Sequence, residues 1–325
     1  MVNPSCLIVG AGMSGLACAS SLESRGWRVL LLDKGRSAGG RMATRRIGES
    51  RLDHGAQFFT TRDARFREVA QQWEASGWVA PWFSEGGHPR YWAKGGMNAL
   101  AKRLAVRLDV RTECKTERVE PASGGWRVIA ADGESFHADA LVLTPPAPQS
   151  LALLPSNCVP PEITASMGAV DFDPCFALLA LLDGPGGVPT PGYARQESGP
   201  IEWIADNTQK GVSTGPAALT IHARADFSRA YLDAGQEEVA RLLLEAATPW
   251  LAAPVTTWQL HRWRYAKPVA VNGPVCLFSK EPAPLAIAGD AFGGARLEGA
   301  FLSGLEAAAR LIEAFHATNC RLECP

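Results

Sequence analysis

Two glycine-rich segments and one acidic residue near the start of the chain have the types and spacing needed to hold a dinucleotide. Gly10-Ala11-Gly12-Met13-Ser14-Gly15 follows the apolar run Cys6-Leu7-Ile8-Val9, and Asp33 stands 18 residues past Gly15. In such a GxGxxG loop Gly10 makes the tight turn, Gly12 lets the backbone approach a pyrophosphate, and Gly15 packs helix on strand. The following helix offers free N–H groups and the positive end of its dipole to phosphate. Asp33 can accept hydrogen bonds from a ribose. A second pair, Gly39-Gly40 followed by Arg41, suits another backbone approach to phosphate with a guanidinium beside it. Near the other end, Leu285-Ala286-Ile287-Ala288 runs into Gly289-Asp290.

These groups work only if regular elements hold them. The run Cys6 to Val9 is continuously apolar, as in a parallel strand covered on both faces. A helix is expected over Leu16 to Arg25, then a second strand Val29-Leu30-Leu31-Leu32 ending at Asp33. Strand, glycine loop, helix, strand and acid at these distances make a far stronger signal than the glycines alone. Asp139 to Thr144 forms another apolar strand, stopped by Pro145-Pro146. After Gly289-Asp290, a helix opening at Arg296-Leu297-Glu298-Gly299-Ala300 carries Phe301, Leu305, Ala308, Ile312 and Phe315 in steps of four and three, one apolar stripe.

Composition excludes several classes. The 325 residues suggest about two domains. Lys and Arg total 32 against 33 Asp and Glu, without the basic excess of an electrostatic nucleic-acid binder. No apolar run reaches the ~18 residues of a membrane span. The first residues lack a secretory pattern, so a cytoplasmic protein is expected. The eight cysteines, Cys320 and Cys324 in an expected frayed tail among them, form no CxxC pair and have no histidines at zinc spacing, so no metal site is expected. Ten tryptophans against four tyrosines suggest that some indoles line a pocket.

The dinucleotide unit alone does not separate NAD from FAD. The GGR element at Gly39-Gly40-Arg41, directly after the ribose-binding strand, together with the Gly289-Asp290 strand, resembles the flavin amine-oxidase superfamily. The resemblance implies an α/β fold: an FAD-binding Rossmann-type, glutathione-reductase-like domain with an inserted α+β substrate domain. It implies non-covalent FAD held by Gly10, Gly12, Ser14, Gly15, Asp33, Lys34, Gly40, Arg41, Met42, Gln57, Val119, Thr144, Gly289, Asp290, Glu298, Gly299 and Ala300. In that family the Gly-Asp carboxylate binds the ribityl chain, the next helix start faces the flavin pyrimidine, and Val119 is placed to touch adenine.

Further segments resemble one branch, the renalase family. They are Asp53-His54-Gly55-Ala56-Gln57-Phe58-Phe59-Thr60, Gly95 to Leu100, Glu202 to Asn207 with Lys210, Thr220-Ile221-His222, His261 to Ala266, and Arg296 to Gly304. Ala295 and a short loop from Phe83 to Tyr91 depart from that family's pattern. The resemblance implies an oxidase of isomeric dihydronicotinamide dinucleotides, with dioxygen reduced to hydrogen peroxide. Gln57, Asn207 and His222 would orient the carboxamide and flavin edge, with Trp203, Trp263 and Tyr265 as walls. Lys210, Arg262, Arg264 and Lys267 could favour the substrate phosphates. His222 can equally be a structural histidine, and HRWRYAK an exposed face of solvated charges. An amine oxidase and a non-catalytic flavin-binding protein are the competing readings. The cofactor domain is expected over residues 1–60, 95–150 and 275–325, and the substrate domain over 61–94 and 151–274, with Asp183 to Pro200 a Gly/Pro-rich surface connection.

Overall fold

The computed structural model describes residues 3–269 and 273–322, with side chains described through residue 316. Cys324 and the side chain of Cys320 therefore lie outside the described residues. The chain forms two compact units, one of residues 1–40, 101–171 and 268–325, the other of 41–100 and 172–267.

The first unit is built on a six-stranded sheet in the order Leu277–Ser279, Leu285–Ile287, Ala140–Leu143, Ser5–Val9, Arg28–Leu32, Val110–Arg111. All its pairings are parallel except that of Leu277–Ser279 with Leu285–Ile287. Cys6 to Val9 is buried at the centre, as the unbroken apolar run requires. The helix Met13–Glu23 starts three residues earlier than expected, because Gly12 in extended backbone already acts as its N-cap. The helix Leu297–Leu322 lies against it so closely that a Cβ on Gly304 would overlap the Ser14 carbonyl. A three-stranded sheet of Thr116–Ala122, Gly125–Ala130 and Ser135–Ala138 completes the unit's β-structure.

The second unit holds a five-stranded sheet in the order Tyr193–Arg195, Ile201–Asp206, Ala218–Ala223, Phe172–Leu182, Val255–Pro268. Period-two alternation divides it into two faces. One face, with Phe176, Leu178, Ile204, Leu219, Ile221, Trp258 and Leu260, packs on the helix Gln236–Ala247 through Val239, Ala240, Leu243 and Ala247. The other face carries Trp203, Thr220, His222, Gln259, His261 and Trp263. Along Ile201–Asp206 a register shift between Ile201 and Trp203 interrupts the alternation. It turns Trp203 away from the apolar face that Ile201 joins.

The unit boundaries depart from the expected domain limits. Residues 41–60 belong to the second unit, because the hairpin of Thr44–Ile47 and Ser50–Asp53 is tied through Asp53 to Asn207, Lys210 and Thr220. Residues 95–100 follow it, since the Met97 amide caps the same carboxylate. Residues 151–171 join the first unit, where the helices Ala147–Leu153 and Pro161–Gly168 pack together on its strands. The segment from Phe83 to Tyr91 is no loop but the tip of a hairpin of Val79–Glu85 and His88–Ala93. Within Asp183 to Pro200, Tyr193–Arg195 is an edge strand whose tyrosine packs on Trp203, so that segment is more than a surface connection.

Candidate functional site

In the first unit the glycine loop adopts the conformation its spacing requires. Gly10 has φ of +98°, and the Thr144 hydroxyl sits beside it, donating to the carbonyls of Val9 and Gly10 at 2.9 and 3.1 Å. A Cβ on Gly15 would overlap the Gly10 carbonyl oxygen, whereas one on Gly12 would meet nothing within 4 Å. Gly15 is therefore closed by packing, and Gly12 is open toward whatever the loop receives. Asp33 anchors the loop by accepting from the Ala11 amide at 2.6 Å and the Gly35 amide at 2.7 Å. Each carboxylate oxygen has a second lone pair for a ribose hydroxyl. The Gly39 amide donates to the Ala11 carbonyl at 2.9 Å, which seats the second glycine pair against the first loop.

A buried hydroxyl shows that this cradle fits a polar group. Ser14 Oγ lies in the first turn of the helix with no hydrogen-bond partner among the described residues. A buried unsatisfied hydroxyl costs about 1–3 kcal/mol, and a phosphate oxygen at the helix N-terminus would remove that cost. At the far end, the Gly289 amide donates to Ser303 Oγ at 2.9 Å, which in turn donates to the Val275 carbonyl at 2.6 Å. Gly293, Gly294 and Gly299 lie so close together that a Cβ on Gly299 would overlap the Gly294 carbonyl. Asp290 and Glu298 start the two helices there, with Ala300 in the first turn of the second. Lys34 is exposed and donates to Gln149 at 3.4 Å. The Val119 side chain is fully buried in the three-stranded sheet.

Three of the expected cofactor residues, Arg41, Met42 and Gln57, belong to the second unit. There the Arg41 guanidinium donates to the backbone carbonyls of Tyr265 and Ala266 at 3.4 and 3.2 Å. Met42 is buried.

The polar face of the second unit's sheet is organised by Asp53. Its Oδ1 accepts from Thr44 Oγ1 at 2.5 Å and the Met97 amide at 2.8 Å, and its Oδ2 accepts from Lys210 Nζ at 2.8 Å. Both side chains of that ion pair are fully buried. The Asp53 amide donates to Asn207 Oδ1, while its carbonyl accepts from Gln57 Nε2 and Thr220 Oγ1. Asn207 Nδ2 donates to the Ala218 carbonyl and to Thr220 Oγ1. Burial pulls Lys210 below the ordinary lysine range, and Asp53 pulls it back.

One residue on, the His54 carbonyl accepts from Trp263 Nε1 at 2.9 Å and His222 Nε2 at 3.2 Å. The His54 ring stacks on Trp263, with centroids 5.5 Å apart, and meets His261 edge-on at 5.0 Å. Burial lowers the pKa of all three imidazoles. Burial pushes His222 down to about 4; burial, then His261 and Arg45, push His54 down to about 3. His261 is lowered by burial and Arg45. Farther along the sheet, Trp203 stacks on Tyr193 at 4.8 Å and 6°, with the Arg195 guanidinium 5.1 Å from its ring centroid. Its Nε1 is buried without a partner among the described residues.

The sequence-based site is therefore partly assembled and partly corrected. Gln57, Asn207, His222, Trp203 and Trp263 share one face. Asn207 and Gln57 spend their polar atoms on Asp53 and its neighbours, so they shape the segment around His54. Tyr265 packs edge-on against Phe172. The expected phosphate contacts are overturned in three cases. Lys210 is buried in its ion pair, Arg262 donates to the Ala234 carbonyl and covers Phe176, and Arg264 pairs with Asp233. Strand alternation puts both arginines on the face opposite His261 and Trp263. Asp53, His54, His261, Tyr193 and Arg45 were not singled out. The family-like segments Asp53 to Thr60 and His261 to Ala266, and the odd-position spacing of Gln259, His261 and Trp263, offered a signal for part of that set. Among the described residues no group of His, Cys, Asp or Glu could hold a metal ion, and no helix is long and apolar enough to cross a membrane.

Comparison with known proteins agrees with this geometry. Residues 8–73 match the NAD(P)-binding Rossmann-like domain, and residues 74–312 match the flavin containing amine oxidoreductase family. The bifunctional protein MnmC of tRNA 5-methylaminomethyl-2-thiouridine biosynthesis from Albidiferax ferrireducens is 24% identical over 174 residues, 47% of this chain and 29% of that protein. The chain thus spans less than a third of that relative's length. A crystal structure described as a putative protoporphyrinogen oxidase from Exiguobacterium sp. 255-15 superposes with a TM-score of 0.70 at 14% identity, covering 96% of this chain and 99% of that one. Wild-type putrescine oxidase bound to putrescine gives 0.67 at 16% identity, with the same coverage. These two likenesses show the fold. The family match takes in most of the chain, which belongs to the flavin containing amine oxidoreductase family and is an FAD-dependent oxidoreductase.

Proposed function

We propose that this oxidoreductase oxidises isomeric dihydronicotinamide dinucleotides, those reduced at ring position 2 or 6, to NAD(P)+, with dioxygen reduced to hydrogen peroxide. The observation that carries the reading is the His54–His261–Trp263 aromatic cluster, His54 stacked on Trp263 and His261 edge-on to both, beside a buried carboxylate already paired with Lys210. A dihydropyridine ring that loses a hydride becomes an aromatic cation, so the site needs no general base, and positioning supplies most of the catalysis. When bound, FAD would supply the two-electron acceptor chemistry, with dioxygen as the oxidant. Gly10 to Gly15, Asp33 and Gly289-Asp290 would hold FAD. His54 and Trp263, fixed by the hydrogen bond between them, would hold the substrate ring by stacking.

An alkylamine arrives as an ammonium ion and needs a carboxylate or an open aromatic face. Asp53 is committed to Lys210. Trp203 is covered by Tyr193 and Arg195, and Trp82 by Lys210. The test is anaerobic titration of the purified holoprotein with isomeric dihydronicotinamide dinucleotides and with a panel of primary and secondary amines. Loss of the oxidised flavin band with the dinucleotides alone is the expected result. Loss with amines alone would replace this reading with amine oxidation, and loss with neither would make the chain a non-catalytic flavoprotein.

A further inference from the structure

Arg45 meets the second unit's sheet at Gln259. It projects from Thr44–Ile47, is half-buried, and donates to the neutral Gln259 Oε1 at 3.3 Å. It has no ion pair among the described residues. The neighbouring cations are committed: Lys210 to Asp53, Arg264 to Asp233, Arg195 and Arg90 to Glu85, and Arg262 to a carbonyl. A half-buried guanidinium that meets only neutral groups is unfavourable in the free protein, and its five donors are arranged to grip an oxyanion. Gln259 is on the same face of Val255–Pro268 as His261 and Trp263, two and four residues along. That is roughly 7 and 13 Å along the strand, a reach comparable to a planar ring joined through a pentose to phosphate. The Arg45 charge lowers the pKa of both His54 and His261, so its guanidinium lies within electrostatic reach of both rings.

We infer that Arg45, presented beside Gln259, is the anion-recognition residue of this face and takes a phosphate group of the dinucleotide whose ring stacks on the His54–Trp263 wall. The assignment rests on the proposed substrate class, but the subsite itself is testable without it. In Arg45→Gln holoenzyme, KM for the isomeric dihydronicotinamide dinucleotides should rise at least about tenfold, the scale of one lost hydrogen bond to a charged group. The kcat should stay within about twofold, and flavin content should be unchanged. Arg45→Lys should recover part of the loss. The wild-type KM should climb with added salt more steeply than that of the glutamine variant. Calorimetric titration of the oxidised holoenzymes with inorganic pyrophosphate supplies a readout free of turnover, with binding expected for wild type and lost in Arg45→Gln.

Failure of dinucleotides to reduce the flavin, with pyrophosphate binding that depends on Arg45, would remove the substrate reading and keep the anion subsite. Equal pyrophosphate affinity in both proteins, or an unchanged KM, would overturn the assignment. Loss of flavin from Arg45→Gln would also overturn it, by making Arg45 a support for the cofactor.

Discussion

Replacing Lys210 with methionine should be among the most damaging single changes in the second unit, and the structure says why. Lys210 Nζ and Asp53 Oδ2 are 2.8 Å apart with both side chains at 0% exposure. At an effective dielectric of about 20 their attraction is about 6 kcal/mol, while removing each ion from water costs several kcal/mol. The pair as a whole is close to neutral for stability. Its halves are not: Lys210→Met leaves Oδ2 of a buried carboxylate without a partner, with only Oδ1 still held by Thr44 and the Met97 amide. Breaking one side of a buried pair costs about 3–5 kcal/mol. At roughly 2–4 °C per kcal/mol for a domain of this size, the melting temperature should fall by roughly 6–20 °C.

The double variant Lys210→Met/Asp53→Asn removes both charges and keeps an acceptor for the Met97 amide. It should be more stable than Lys210→Met alone, with a coupling of at least about 1 kcal/mol in the full double-mutant cycle. Thermal melts followed by circular dichroism, with urea titrations on the same four proteins, measure this. An additive cycle, or a Lys210→Met variant within about 1 kcal/mol of wild type, would show that Asp53 does not organise the segment from His54 to Gln57.

Three further outcomes follow, one from the second unit's histidines and two from the glycine loop. His54 and His222 hold their protons at about 3 and about 4 in the folded chain against about 6.5 unfolded, so the unfolded state binds more protons between those values. Stability is then complete above about pH 6.5 and declines as pH falls toward 4, by on the order of 3 kcal/mol for His222 alone; urea midpoints at intervals from pH 7.5 to 4.5 should shift downward, and His222→Gln should flatten the slope. Gly12→Ala should leave the apoprotein melting temperature unchanged and weaken flavin retention, since a Cβ there meets nothing within 4 Å of the protein itself. Gly15→Ala should lower both, by about 1–3 kcal/mol in stability, because its Cβ would overlap the Gly10 carbonyl; equal apoprotein melts for the two would refute the distinction.

The dinucleotide cradle was legible because its parts are close in sequence and each glycine answers a local steric demand. Gly10 turns the chain and Gly15 packs against it, as their spacing indicates. In the second unit Gln57, Asn207, His222, Trp203 and Trp263 were legible through the family resemblance, and the contacts that place them were not. Lys210 reads in the sequence as a cation for the substrate phosphates, and its burial follows from a carboxylate 157 residues earlier. His54 gains its place through carbonyl contacts to His222 and Trp263, 168 and 209 residues away. Nothing local marks such partners. The expected domain limits failed for the same reason: Arg41 to Thr60 continues the cofactor loop along the chain, yet Asp53 ties it to the other unit.

The sheet of the second unit separates stability from chemistry by residue parity. In Val255–Pro268, Trp258, Leu260 and Arg262 serve the apolar side, and Gln259, His261 and Trp263 serve the polar side. The run His261-Arg262-Trp263-Arg264 is thus two interleaved sets, and its arginines never had access to the site that their composition suggested. The same rule would have placed Trp203 in the core beside Ile201. The irregularity between them reverses its direction and brings it opposite His222. One inserted residue moves the largest side chain of that strand from the packed face to the polar one, where it stacks on Tyr193. A bulge at that position is a device for re-aiming a side chain, and it accounts for a tryptophan whose indole N–H is buried there without a partner among the described residues.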